Sequence, residues 1–451
     1  MTAQSSSRPT PFAPRPYHFP RFERRALANG VQLVVAPLHK LPLVTVVALV
    51  EAGAVCDAPG REGVARLTAD LLLEGTLTTS GTELTERFER LGATVESTTD
   101  WDGVAVTLTA LTEHLAPAVT LLAEVLRTPS FPEREVERLK AERLAELLQL
   151  RAEPRGLADE MFTRVLYGAD SRYARPEGGT EESVKSITRD DVRAHYDRWY
   201  RPPGLTLLIA GDLSAENATK LVRRTFEDWQ GAKPDAVRTS DAPARSSRAL
   251  HIVSKPDAPQ SELRIGNVGL PRGHRDYYAA VVTNAVLGGL FSSRINLNLR
   301  EEHGYTYGAF SAFDWRRQAG PFVISTAVQS DVTAAAASEV LKEIDRIRAA
   351  EVTADELSLA TSYLDGVFPI RYETSEAIAG ALATLVRYGL PEDYFDTYRE
   401  RIRSVSTADV LRVSREHLRP EALQMLVVGD VNSVRAQLDA MQFGPVSVIE
   451  P

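Results

Sequence analysis

The sequence predicts an α+β protein built from two homologous domains, each a mainly antiparallel sheet packed with helices. Three observations carry this expectation. Short motifs recur in one register: Val192, Pro202 and Gly211 are matched by Val410, Pro420 and Gly429, with the same offset each time. A constant offset over so long a distance marks two copies of one unit of about 200 residues rather than a solenoid of short repeats. Each copy mixes alternating, β-branched stretches with helical periodicity, the pattern of an α+β unit. The chain is also long enough, at 451 residues and 43% hydrophobic, to bury more than one core.

Residues 1–20 are rich in Ser and Pro and lack the apolar core of a signal peptide, so they are expected to form a disordered or extended arm. The first domain is placed at 21–230. Residues 32–35 and 43–50 read as strands, followed by helices at 63–73 and 82–91. Residues 95–98 and 104–109 form a hairpin whose turn ends in Asp102-Gly103. Helices follow at 116–126, at 133–150 behind Pro132, around 155–166, and from the capping signal at Thr188 to Trp199. A buried strand at 205–209 closes the unit. Residues 231–248 turn polar and proline-bearing and are expected to be a linker. The second domain, 249–445, repeats the plan: its strand at 251–253 falls on 33–35 when moved back by the shared offset.

Composition narrows the function. A net charge of −9 lacks the basic footprint of a nucleic-acid protein. No run of roughly 18 apolar residues is present, so no membrane span is expected and the protein is assigned to the cytoplasm. The single cysteine, Cys56, rules out an intrachain disulfide and a multi-cysteine zinc site.

The chain is organised around the stretch GREGVARLTADLLLEGT at residues 60–76. Val64, Leu67, Thr68 and Leu71 make one helical face mostly apolar, and Arg66 and Asp70 stand four apart on another. Two histidines at that spacing would grip a metal; none is there. The eight histidines are scattered, no two of them near enough in the chain to form a helical or hairpin pair, and no metal is assigned to this chain. Other motifs are FPEREVER at 131–138, GTEESVKS at 179–186 and YRPPG at 200–204. The second half carries LGGLFSSR at 287–294 and LREEHGYTY at 299–307. Gly288 and Gly289 carry no lysine-serine signature of a phosphate loop and are read as permitting close backbone packing.

Together these motifs, over about residues 20–440, resemble the insulinase/pitrilysin family of zinc metallopeptidases, in its two-domain, processing-peptidase branch. Active members carry H-x-x-E-H on the first-half helix and a further glutamate about 76 residues on. The resemblance puts Arg66 and Asp70 at the histidine positions, Ala69 at the general base and Glu146 at the distal ligand. Arginine offers no lone pair to a metal and alanine accepts no proton. The helix is therefore a degenerate metal site, and Arg66 is expected to sit between Asp70 and Glu146 where relatives hold zinc. In the second half, Arg300 and Tyr307 have the seven-residue spacing of the pair that family members use to hold substrate and assist the transition state. Gly288 and Gly289 are assigned to the same substrate-binding region, with Tyr305 as a neighbour. The resemblance implies a non-catalytic, substrate-binding subunit, inactive alone. Its expected partner is a homologous subunit that keeps H-x-x-E-H and the zinc, and its substrate a peptide or unfolded protein. In isolation it could pair as a homodimer. The alternative is a structural core-type or stand-alone peptide-binding protein.

Overall fold

The computed structural model describes residues 16–233 and 245–450. Most of the expected arm and most of the expected linker lie outside the described residues. The first sheet contains β1 (Glu23–Ala26), β2 (Gln32–Pro37), β3 (Leu43–Val50), β4 (Thr94–Thr99), β5 (Val104–Leu111) and β6 (Leu205–Gly211). Their order is β1-β2-β6-β3-β5-β4, antiparallel throughout except for β2 against β6. The second contains β7 (Ala249–Ser254), β8 (Gln260–Val268), β9 (Ala309–Phe313), β10 (Pro321–Gln329), β11 (Gln424–Gly429) and β12 (Val446–Ile449). Its order is β12-β7-β11-β8-β10-β9, with β7 parallel to both neighbours.

The five strands β2-β6-β3-β5-β4 and β7-β11-β8-β10-β9 are the same unit twice. Only the sixth strand differs. The first half takes its extra strand from the chain before the repeat, and the second takes it from the chain after the repeat.

Every residue of β6 and β11 is buried, because each of these central strands is covered on both faces. Alternation divides each strand between two cores. Leu205, Leu207 and Ile209 face the helices of their own half. Leu208 and Ala210, with Val34, Ala36, Val47 and Leu49, belong to the core of the second half. The cover on that face is the helix Ser375–Tyr388, which packs on β3 and β6. The converse holds for the helix Pro154–Leu166, which packs on β8 and β11 and places Leu157, Ala158, Met161 and Phe162 against Leu426 and Val428. Each half therefore lends one helix to the other's sheet. Polar contacts fasten the exchange: Thr45 and Ser375 hydroxyls lie 3.0 Å apart, and Tyr167 donates to the Ala319 carbonyl at 3.0 Å. The fully buried Arg264 donates to Asp159 at 2.7 Å and Glu262 at 2.8 Å. Tyr17 and Phe19, just inside the described N-terminus, pack on Phe368 and Phe395 of the second half.

Candidate functional site

The helix Val64–Leu71 starts at Gly63, whose φ of 98° suits glycine. A Cβ at Gly63 would also stand 2.8 Å from the Gly178 carbonyl, so the loop carrying Gly178 and Gly179 can close on the helix start only because the residue is glycine. Asp57 accepts from the Gly63 and Ala65 amides at 2.7 and 2.9 Å and is paired with Arg172 at 2.8 Å. A carboxylate in this position answers the free amides and the positive end of the helix dipole. Val64, Leu67, Ala69 and Leu71 point into the core, and Ala69 is completely buried.

Arg66 points the other way, towards the helix Glu133–Ala152. Its Nη2 donates to Glu146 Oε2 at 3.0 Å and its Nε lies 3.7 Å from Asp70 Oδ2. The guanidinium thus lies between the two carboxylates. Arg143 donates to the same Glu146 oxygen at 2.9 Å and, through Nε, to the Gly178 carbonyl at 3.0 Å. Burial raises the Asp70 carboxyl, with Arg66 opposing it and Glu146 reinforcing it. Burial, reinforced by Arg66, lowers Arg143. A cavity of about 20 Å³ remains among Gly63, Arg66, Leu67, Asp70, Leu139 and Arg143, enough for about one water. These residues do not fit a catalytic zinc. Two guanidiniums stand against the Asp70 and Glu146 carboxylates, and among the described residues no imidazole lines this cavity.

Arg143 escaped the sequence reading, although its position three residues before Glu146, on the same helix face, was a visible signal. Another missed residue is Glu177. Burial, with Asp100 and Asp314 adding to it and Arg316 and Arg66 opposing it, pushes its carboxyl up to about 7. Around it the halves are tied by charge: Arg387 pairs with Asp100, Arg317 with Glu51 at 3.1 Å, and the Arg317 amide donates to Asp102 at 2.9 Å.

In the second half, Arg300 lies on a π-helical segment, Leu297–Glu302. Its guanidinium carbon sits 4.4 Å from the centre of the Phe291 ring. Its Nη1 is buried without a hydrogen-bond partner, the Glu301 carboxylate at 3.6 Å being too far to accept from it. Phe291 is a further residue that the sequence reading left without a role. Tyr307 stands in the turn before β9 and is 94% exposed, with no hydrogen bond to Arg300 or to any other described residue. Phe310 is exposed on β9 beside it. Tyr305 stacks on His303 at 4.9 Å. Gly288 is buried against β9, where a Cβ would come within 2.7 Å of the Ser311 amide nitrogen, whereas Gly289 is exposed. The degenerate helix packs beside β4 and the Arg300 segment leads into β9; both strands are free edges of their sheets.

Two family descriptions match the chain. "Insulinase (Peptidase family M16)" covers residues 34–172 and "Peptidase M16 inactive domain" covers residues 186–364. The chain is 24% identical to a Bacillus subtilis protein named uncharacterized zinc protease YmxG, over 79% of this chain and 85% of that one. It is also 24% identical to a Helicobacter pylori protein named non-peptidase homolog YmxG, over 89% of this chain and 92% of that one. Among solved structures, a peptidase M16 inactive domain from Pseudomonas fluorescens superposes with a TM-score of 0.85 at 24% identity, covering 91% of this chain and 98% of that one. With the duplicated fold, the helix from Gly63 and both family matches in register, the chain belongs to the insulinase (M16) family of peptidases.

Proposed function

We propose that this chain is the non-catalytic subunit of a two-subunit zinc peptidase, without a catalytic zinc of its own, holding a peptide or unfolded protein for a partner that carries H-x-x-E-H. The observation that carries the reading is an asymmetry between the halves. At the metal positions Arg66 donates to Glu146 at 3.0 Å with Asp70 a looser ion pair at 3.7 Å, whereas Tyr307 is fully presented to solvent and Arg300 Nη1 keeps no hydrogen-bond partner. A guanidinium offers donors to peptide carbonyls, and a phenol can donate to a developing oxyanion. The free edges of β4 and β9 would take an extended peptide by main-chain hydrogen bonds that depend little on its sequence. Gly288, by letting β9 approach, and Gly289, exposed next to it, belong to the same substrate wall. The place of work in this reading is the cytoplasm. Among the described residues no helix is long and apolar enough to cross a membrane.

The test is reconstitution. This chain and an H-x-x-E-H homologue are mixed and cleavage of an unstructured fluorogenic peptide is followed. Neither should cleave efficiently alone, and the mixture should. Arg300→Ala should lower kcat/KM of the mixture about 10- to 100-fold and Tyr307→Phe by a similar factor, the worth of charged or oxyanion-directed hydrogen bonds. Unchanged activity in both variants sinks the role given to the pair. The Helicobacter pylori relative's name, non-peptidase homolog, favours a second reading as a stand-alone peptide-binding protein. Tight peptide binding by this chain without any gain in cleavage on mixing would select it.

A further inference from the structure

The fold gathers a group of side chains that the peptidase reading does not use. His274 and Asp276 lie on the loop between β8 and the helix Tyr277–Asn284, and His417 ends the helix Thr407–His417. These segments are distant in the chain and meet where the two helices pack.

We propose that His274, Asp276 and His417 bind a zinc ion, at a site separate from the degenerate helix of the first half. One ligand atom from each residue falls within 4.8 Å of the others. His417 Nε2 is 2.9 Å from Asp276 Oδ2, and His274 Nδ1 is 3.8 Å from the same oxygen. Donors around a tetrahedral zinc with bonds of about 2.0–2.1 Å stand about 3.3 Å apart, so shifts of about an ångström close the group on the metal. Two imidazoles and one carboxylate are a donor set that zinc accepts. A water supplies the fourth donor, since Glu416 Oε2, 3.8 Å from His417 Nε2, is held by Arg412 at 3.1 Å.

The surroundings orient these ligands. Arg412 donates to the other Asp276 oxygen, Oδ1, at 2.9 Å and to Glu416 at 3.1 Å, which leaves Oδ2 aimed at the imidazoles. A carboxylate whose second oxygen is held by a donor is the usual outer-shell arrangement at a metal. The His417 carbonyl accepts from Asn267 at 3.0 Å, fixing the helix end that carries the ring. His274 Nδ1 accepts from the Asp276 amide at 3.1 Å. That nitrogen is therefore unprotonated, as a ligand must be, and zinc replaces the amide as its partner. Only Asp276 is deeply buried, at 5% side-chain exposure; His417 at 16% and His274 at 29% leave an entry path for the ion.

The full-length chain is stripped with chelator, dialysed against Zn²⁺ alone, and its metal content and melting temperature are measured. One zinc per chain and a higher melting temperature are expected. His274→Ala and His417→Ala, at partly exposed positions, should each lower zinc affinity at least tenfold while leaving the metal-free melting temperature near that of the wild type. Glu146→Gln should leave zinc binding unchanged. Absence of stoichiometric zinc, or zinc retained by the His274→Ala, His417→Ala double variant, overturns the site. Zinc lost in Glu146→Gln instead would move the metal to the first half and overturn it equally.

Discussion

Returning histidines to the degenerate helix tests whether Arg66 and Asp70 stand where a metal once could. The perturbation is Arg66→His with Asp70→His, made in a His274→Ala, His417→Ala background so that the cluster in the second half contributes nothing. Ala69 is left alone, since it is completely buried and a larger side chain there would cost about 1–3 kcal/mol in overpacking. The two new imidazoles would sit one turn apart on the face that now carries the guanidinium, opposite Glu146. Arg143 occupies one oxygen of Glu146, leaving Oε1 to ligate. Zinc at a hundredfold excess over its Kd stabilises the folded chain by about 2.7 kcal/mol. Because the exchanged helices join the cores, the described residues should melt as one unit. Unfolding entropy is about 2.1 cal/mol/K per residue, and over the whole chain the gain becomes a rise in Tm of roughly 3 °C. Differential scanning fluorimetry with and without Zn²⁺, beside metal analysis of dialysed protein, reads both quantities. No bound zinc and no shift would refute the assignment of Arg66 and Asp70 to the metal positions.

Two further outcomes follow from the packing and the charges. Arg264→Ala should destabilise the chain by about 3–5 kcal/mol in urea titration, since it leaves the half-enclosed Glu262 carboxylate without its partner and removes a fully buried side chain from the contact between halves; a change below about 1 kcal/mol would contradict the weight given to that contact. Glu177, pushed up to about 7, binds its proton more tightly when folded than when unfolded. Its contribution is therefore favourable below the unfolded value and is lost as pH rises from about 4.5 to about 7. Glu177→Gln should flatten stability against pH across that window and leave the variant about 1–2 kcal/mol more stable than wild type at pH 8, measured by urea midpoints.

The duplication was legible because its constant register survives in capping residues, turn glycines and buried strands, all of which are local requirements of the backbone. The expectation of a degenerate metal site rests on a similarly local pattern: H-x-x-E-H spans one turn, and residues 66–70 read Arg-Leu-Thr-Ala-Asp instead. What stayed hidden depends on assembly. A strand such as β6 reads as uniformly buried whichever half covers its second face, so the exchange of the helices at 154–166 and 375–388 leaves no local mark. The π-helical segments around Gly288 and Arg300 differ from α-helix by one residue per turn in stretches too short to show a period. His274 and His417 are united only by the packing of two distant helices, beyond any spacing rule.

The exchanged helix also sets the order of events while the chain is being made. When Gly211 leaves the ribosome, all six strands of the first sheet have been synthesised, yet the helix Ser375–Tyr388 that shields Val34, Val47, Leu49 and Leu208 has not. It follows about 165 residues later, so at roughly 5–20 residues per second that sheet waits about 8–33 s with an oily face bare. A chain truncated before Ser375 keeps that apolar face bare permanently.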